Sequence, residues 1–478
     1  MKHRIADSTK RDMEVLMLVS LIVGPMLLVL ALLLQQMQRS SSGRKSRIPK
    51  GNNWTLPFFG ETFNFLKDPH NFHLKHIARF GETFYASLFG ENCIVVTTPE
   101  ASKWVLQTAQ QSFRPGYPRS ATTIVDPTET IYQPKFHARM RKIVGSTLNP
   151  DALQHYVKYI DSVARISLTN WESNRIVNLY DEMKKYTFYV ALKIICSLDP
   201  GSELEEMALN MEKVKDGFFS LHIDLPWTRY HSALKARDAL YKSFKKIIDR
   251  RRKESRRYND ILEDLMFSDE PGQKFTDAQL QALVLSLLFA GYETTSAQLV
   301  WTMKRLHENP DILESVKAEH DAIRKGKLRE DSLNWEDIKE MKLTLRVIYE
   351  TMRTSHLDVF IPREPLQDLE YDGFLFPKGW KIHASISAFH LNPKIFPDPY
   401  KFDPSRFEDG GPPPNTYMPF GNGNRRCLGS EVAKTQMLIS IHHILSNYRW
   451  EAVGPDRGIQ WWAVAIPKGG YPIKVQPR

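Results

Sequence analysis

The amino-acid sequence predicts a mainly α fold with a small β portion, built as one large body behind an N-terminal transmembrane helix. Three observations carry this. Most long segments repeat their apolar residues at helical spacing. Strand-like runs are few and short. Near the N-terminus, the run from Val15 to Leu34 carries no charge and a single hydroxyl, Ser20.

That run comes first in the chain. At about 1.5 Å per residue it reaches roughly 30 Å, the thickness of a bilayer hydrocarbon core. A cleaved signal peptide would have a shorter apolar stretch ending in small residues; here the run ends in Gln35, Gln36, Met37 and Gln38, which favours a retained anchor. Lys2, Arg4, Lys10 and Arg11 precede it, and Arg39, Arg44, Lys45, Arg47 and Lys50 follow it with no acidic residue among them, which favours a body in the cytosol. Residues 1–38 therefore read as anchor. Residues 39–60, with Ser40–Gly43, basic residues, Pro49, Gly51, Pro57 and Gly60, read as a basic, proline-bearing hinge. Residues 61–478 read as the folded domain. Helices are expected over 151–172, 178–198, 204–220, 231–257, 277–308, 310–325, 337–356 and 428–447. Strands are expected at Phe84–Leu88, Cys93–Thr97, Trp380–Ala384 and Trp461–Ile466.

Composition narrows the function classes. With 478 residues, 42% hydrophobic and 25% charged, the chain can bury a large core and a cofactor. The net charge of +10 suits an acidic partner or an anionic membrane, but no zinc finger or RNA-binding signature is visible, so nucleic acid is not expected. The basic run from Lys245 to Arg257 reads as a solvated helix end. Cys93, Cys196 and Cys427 are odd in number and far apart, which argues against a disulfide framework and against structural zinc.

The segment Phe420-Gly421-Asn422-Gly423-Asn424-Arg425-Arg426-Cys427-Leu428-Gly429 precedes a helical pattern. A cysteine just before a helix meets the positive end of the helix dipole, which favours thiolate. The glycines allow tight turning and close approach to a flat ligand, and Arg425 can pair with a carboxylate of it. A buried structural cysteine or a nucleophile would be the alternatives for a lone cysteine, but no oriented histidine partner is evident. The segment satisfies every fixed position of F-x-x-G-x-R-x-C-x-G, and in this it resembles the haem-ligand loop of the cytochrome P450 superfamily.

The resemblance implies haem b with Cys427 as axial thiolate, and Phe420, Gly421 and Gly429 against the ring. Glu350 and Arg353, three apart on one helix face, would join Arg406 in a buried network that holds the loop. Ala290-Gly291-Tyr292-Glu293-Thr294-Thr295 would be a local opening of the longest helix over the iron, with Thr294 and Glu293 handling protons. His137, Arg141, Arg363 and Arg425 would meet the propionates. Phe289, Ala290, Val359, Phe360 and Val464 are the substrate-pocket candidates.

The likeness runs from Leu56 to the C-terminus and is nearest to the plant group that oxidises isoprenoid hormones and triterpenoids, abscisic acid 8′-hydroxylases above all. Leu56–Thr62, Leu225–His231, Pro414–Phe420, Lys401–Phe407 and Asp456–Gln460 carry it. Pro134 and Trp227 stand where that group has glycine, and the loops Asp126–Tyr132 and His356–Ile361 diverge. The implied activity is mono-oxygenation of an apolar isoprenoid (abscisic acid-like, diterpenoid, triterpenoid or sterol) with O₂. Electrons would come from NADPH through a membrane-bound cytochrome reductase, at the endoplasmic reticulum. A reductase-independent haem-thiolate isomerase or dehydratase has no need of Thr294, and a non-catalytic haem protein would need neither Glu293 nor a pocket.

Overall fold

A computed structural model describes residues 47–52, 60–169, 175–254, 256–268, 274–328, 330–355, 359–461 and 464–478, together with Gly24, Trp171 and Leu357. The expected anchor, most of the expected hinge, and the stretch Leu56–Phe59 lie outside the described residues. The chain divides into two compact units. One comprises residues up to Val96 with Glu364–His383, the other Thr97–Arg363 with Ala384–Arg478.

The first unit holds the β-rich part. Strands Thr83–Leu88 and Glu91–Val96 pair antiparallel from Thr83↔Val96 to Leu88↔Glu91. The two-residue turn between them is Phe89-Gly90, both at positive φ (56° and 77°), the geometry that matches the right-handed twist of a hairpin. Lys381–Ser385 lies beside the second strand in the sheet. Helix α1, Pro69–Phe80, starts with proline at its first turn and Asp68 capping the Asn71 N–H, and buries Phe72 and His73.

The second unit is helical. Its longer helices are α2 (Pro134–Thr147), α3 (Pro150–Thr169), α4 (Leu179–Cys196), α5 (Ser202–Phe218), α6 (Arg229–Lys253), α7 (Asp277–Glu308), α8 (Pro310–Arg324), α9 (Lys342–Ser355) and α10 (Ser430–Asn447). Helix α7 is the hub: α4, α6, α8, α9 and α10 all pack on it. It is long and apolar enough to cross a membrane, yet it is a core helix, with 67% of its most apolar window buried. Its start is set by a capping box, the Thr276 side chain accepting from the Gln279 N–H and Gln279 reaching back to the Thr276 N–H. Its end is set by Asn309-Pro310, where proline opens α8. Strands Ile176–Asn178, Pro472–Pro477 and Tyr448–Ala452 form a small sheet in that spatial order.

Three expectations need correction. The helix expected over 337–356 is two, Trp335–Glu340 and α9, because Met341 leaves helical geometry (ψ 52°) and its N–H turns back to the Ile338 carbonyl. The strand expected at Trp461–Ile466 belongs to a hairpin, Ile459–Trp461 pairing antiparallel with Ala465–Pro467. The local opening expected in the longest helix does not occur: α7 is continuous from Asp277 to Glu308.

Candidate functional site

The three cysteines differ sharply in surroundings. Cys93 and Cys196 are buried, and burial pushes both thiols up, Cys196 to about 12, which disfavours a thiolate at either. Cys427 is exposed. Its loop is shaped by Gly421 and Gly423, at φ +70° and +73°, a backbone region that favours glycine. Gly423 also lies so close to the Leu106 carbonyl that an added Cβ would sit 1.9 Å from that oxygen. The close approach these glycines allow is thus, at Gly423, to protein backbone. Gly429 has ordinary φ and open space where a side chain would point. The Cys427 N–H donates to the Phe420 carbonyl at 2.8 Å, which closes the loop just ahead of α10.

Around this loop positive charge accumulates. Burial, then Arg425, Arg141 and Arg363, hold the His137 imidazole down at about 3. Burial lowers Arg363 to about 10, and Arg425 adds to the lowering. Arg425 is likewise lowered, by burial first and by Arg141. Arg141 is lowered by burial, and the charge of Cys427 opposes that. Among the described residues, no carboxylate forms an ion pair with Arg141, Arg363 or Arg425. Their hydrogen bonds go to backbone carbonyls: Arg141 to Arg426 (2.7 Å), Arg363 to Pro362 (2.9 Å) and Arg425 to Tyr132 (3.3 Å). An exposed cysteine beside three half-compensated guanidiniums and a neutral imidazole fits a planar metal ligand bearing two carboxylates. Haem fits these residues.

Glu350 and Arg353 are both fully buried in α9 and form a two-pronged pair, Nε to Oε2 at 2.7 Å and a second guanidinium nitrogen to Oε1 at 2.8 Å. Arg406 approaches Glu350 more loosely, at 3.5 Å, and keeps 13% side-chain exposure. It also donates to the Asp398 carbonyl at 3.0 Å.

The middle of α7 has an accessible strip: Ala290 is exposed, and Gly291 and Thr294 are half-buried, while Tyr292, Glu293 and Thr295 beside them are buried. The Thr294 hydroxyl donates to the Ala290 carbonyl at 2.8 Å. Small side chains, not unwinding, leave this strip open. Glu293 points elsewhere, since adjacent helical residues diverge by about 100°. It is buried, takes the Tyr180 hydroxyl of α4 on Oε1 and has Lys215 of α5 at 3.8 Å. Burial raises its carboxyl above the usual range, against the pull of Lys215. The structure therefore separates Thr294 and Glu293, which the sequence had placed together. Of the pocket candidates, Phe289 stacks on Phe218 (4.6 Å between centroids, 16°) and Phe360 is half-buried in the strand Phe360–Pro365. Val359 and Val464 are buried. Tyr180 and Lys215 escaped the sequence reading, because nothing local marks residues that meet Glu293 from so far along the chain.

Comparison with known proteins finds clear relatives. The family model "Cytochrome P450" matches residues 49–475. Abscisic acid 8′-hydroxylase 1 of Arabidopsis thaliana is 39% identical over 439 residues, covering 91% of this chain and 92% of that protein. Abscisic acid 8′-hydroxylase CYP707A1 of Solanum lycopersicum is 37% identical, covering 90% and 92%. Among solved structures, the retinoic acid bound cyanobacterial CYP120A1 superposes with a TM-score of 0.82 at 30% identity, over 90% of this chain and all of that one.

Proposed function

Because the chain belongs to the cytochrome P450 family and is a mono-oxygenase of it, we propose that it hydroxylates an isoprenoid carboxylic acid of the abscisic acid type. The observation that supports this most is the agreement between relatives that act on abscisic acid and a structural neighbour that binds retinoic acid. Both compounds join an apolar isoprenoid skeleton to one carboxylate.

In this reading Cys427 holds the haem iron as thiolate, and Arg425, Arg363, Arg141 and His137 receive its propionates. Haem, when bound, supplies the oxygen chemistry. The protein's own residues do the rest. Phe289, Ala290, Val359, Phe360 and Val464 present apolar surface to the substrate. Thr294, the hydroxyl on the accessible strip of α7, guides protons there. Glu293 reaches that strip only by turning away from Tyr180 and Lys215, so it serves as a proton store on the far side of the helix. Glu350, Arg353 and Arg406 brace the cysteine loop. The body is carried on residues 1–38 as an anchor in the endoplasmic reticulum membrane, facing the cytosol, and an NADPH-dependent cytochrome reductase supplies electrons.

The test is turnover by the full chain in membranes with reductase and NADPH, offered abscisic acid, retinoic acid, and a diterpenoid, a triterpenoid and a sterol that lack the carboxylate. Hydroxylated product from an acid, with NADPH consumed in step, is expected. Turnover confined to the neutral compounds would overturn the substrate class. Product formation without NADPH would overturn the mono-oxygenase route.

A further inference from the structure

His390 was not part of any motif in the sequence, yet it sits between the buried ion pair and the cysteine loop. It closes the short helix Ile386–His390 and is 1% exposed. Its backbone carbonyl accepts from the Arg353 guanidinium at 2.8 Å. Its ring Nε2 lies 3.0 Å from the Met418 backbone nitrogen. The ring stacks on Tyr417 (5.2 Å, 28°), whose hydroxyl donates to the Tyr349 carbonyl of α9 at 2.8 Å.

These contacts fix the chemistry of the ring. A backbone N–H can only donate, so Nε2 must carry a lone pair and the ring proton belongs on Nδ1. The ring must also be neutral, and burial followed by Arg353 holds it so, with its pKa down at about 3. Beyond Met418 the hydrogen bonds continue into the loop. The Gly421 N–H donates to the Met418 carbonyl at 3.0 Å, and the Cys427 N–H to the Phe420 carbonyl at 2.8 Å. One line of bonds thus runs from Glu350 and Arg353, through both polar ends of His390, to the residue proposed to hold the iron.

We propose that His390 is a positioning residue: a neutral acceptor that fixes the Met418 backbone and thereby holds the cysteine loop in its thiolate-ligating register. A side chain here must reach a backbone N–H, carry no charge beside Arg353, and lie flat against Tyr417. Histidine in one tautomer meets all three demands. The inference rests on the haem-thiolate reading of Cys427.

The experiment uses the purified full-length holoenzyme and the variants H390N and H390Q, which keep a neutral acceptor, and H390L and H390F, which fill space without one. The readouts are the carbon-monoxide spectrum of the reduced protein, which distinguishes thiolate from thiol ligation, and the rate of haem loss. H390L and H390F should shift the balance from thiolate to thiol roughly tenfold or more, the factor set by one orphaned buried N–H. H390N or H390Q should restore most of the thiolate signal. Should H390L and H390F fail to accumulate while H390N or H390Q accumulates with a thiolate spectrum, the need for the acceptor is upheld. Wild-type spectra in H390L overturn the inference, as does equal failure of all four variants, which would assign the effect to the ring's packing. A wild-type protein without a thiolate spectrum would instead overturn the reading of Cys427 and is distinguished from both.

Discussion

Removing the Glu350 carboxylate should destabilise the protein far more than its place on a helix suggests. Glu350 takes two bonds from Arg353, a third from the Asp403 N–H at 2.9 Å, and faces Arg406 at 3.5 Å. In Glu350→Ala the Arg353 charge stays fully buried, and it keeps only neutral partners: the carbonyls of His390 at 2.8 Å and Lys401 at 3.4 Å, and the Phe396 ring at 5.0 Å. Breaking a buried pair from one side costs about 3–5 kcal/mol, and the stranded Asp403 N–H adds to it, so a loss of about 4 kcal/mol or more is expected. The Glu350→Met/Arg353→Met double variant removes both charges. It should be less destabilised than the sum of the single variants by about 2–3 kcal/mol, because no ion is left buried alone. Arg406→Ala should cost less, about 1–2 kcal/mol, since Glu350 keeps both bonds to Arg353 and the lost contact is long, at 3.5 Å. The assay is the urea midpoint together with haem content in purified full-length protein. Full haem content and an unchanged midpoint in Glu350→Ala would refute the reasoning, and so would strict additivity in the double variant.

Three further outcomes can be checked. Lowering the pH from 7 to 5 should destabilise the fold through His320 and His442, which burial holds down at about 3 and about 2, against an ordinary value of 6.5. Between 6.5 and about 3 the unfolded chain binds the protons and the folded one does not, so stability falls with pH by up to about 1.4 kcal/mol per unit per histidine. The local bonds agree: Thr344 donates to Glu319 (2.5 Å) and so accepts from His320 Nε2, leaving His320 Nδ1 to accept from His442 Nδ1 at 3.0 Å. Urea midpoints across that range should be flatter in His320→Asn/His442→Asn; parallel curves would count against it. Arg425→Leu should speed haem loss about tenfold yet stabilise the haem-free chain by roughly 1 kcal/mol, because it removes a like charge near Arg141 and Arg363; haem transfer to an acceptor protein and apoprotein melting measure the two signs. Deleting residues 1–38 should release much of the protein from membranes with haem binding intact, read by fractionation and absorbance.

Where the sequence was legible, the physics was local. Helix α7 could be bounded at both ends because Thr276, Gln279 and the Asn309-Pro310 break act within a turn of themselves. Cys427 could be singled out because its whole loop is contiguous. The break at Met341 was hidden, since Trp335–Ser355 keeps an unbroken apolar rhythm across it. The hairpin Ile459–Pro467 was hidden because its strands are three residues each. In the site, the missed features were those built between distant segments: Tyr180 with Glu293 and His390 with Met418. The divergence of Glu293 from Thr294 was available from helix geometry alone, since neighbours on a helix cannot share a face.

The half-compensated guanidiniums beside Cys427 bear on how much of this protein a cell can keep. Until a dianionic ligand arrives, Arg141, Arg363 and Arg425 repel one another at close quarters, so the empty chain is the weaker fold and the filled one the stronger by mass action. Proteases that sample partly opened chains will then remove empty molecules faster than filled ones. The steady-state amount of enzyme should therefore follow the supply of haem and not only the rate of synthesis, and a chain made in excess of its cofactor would clear itself.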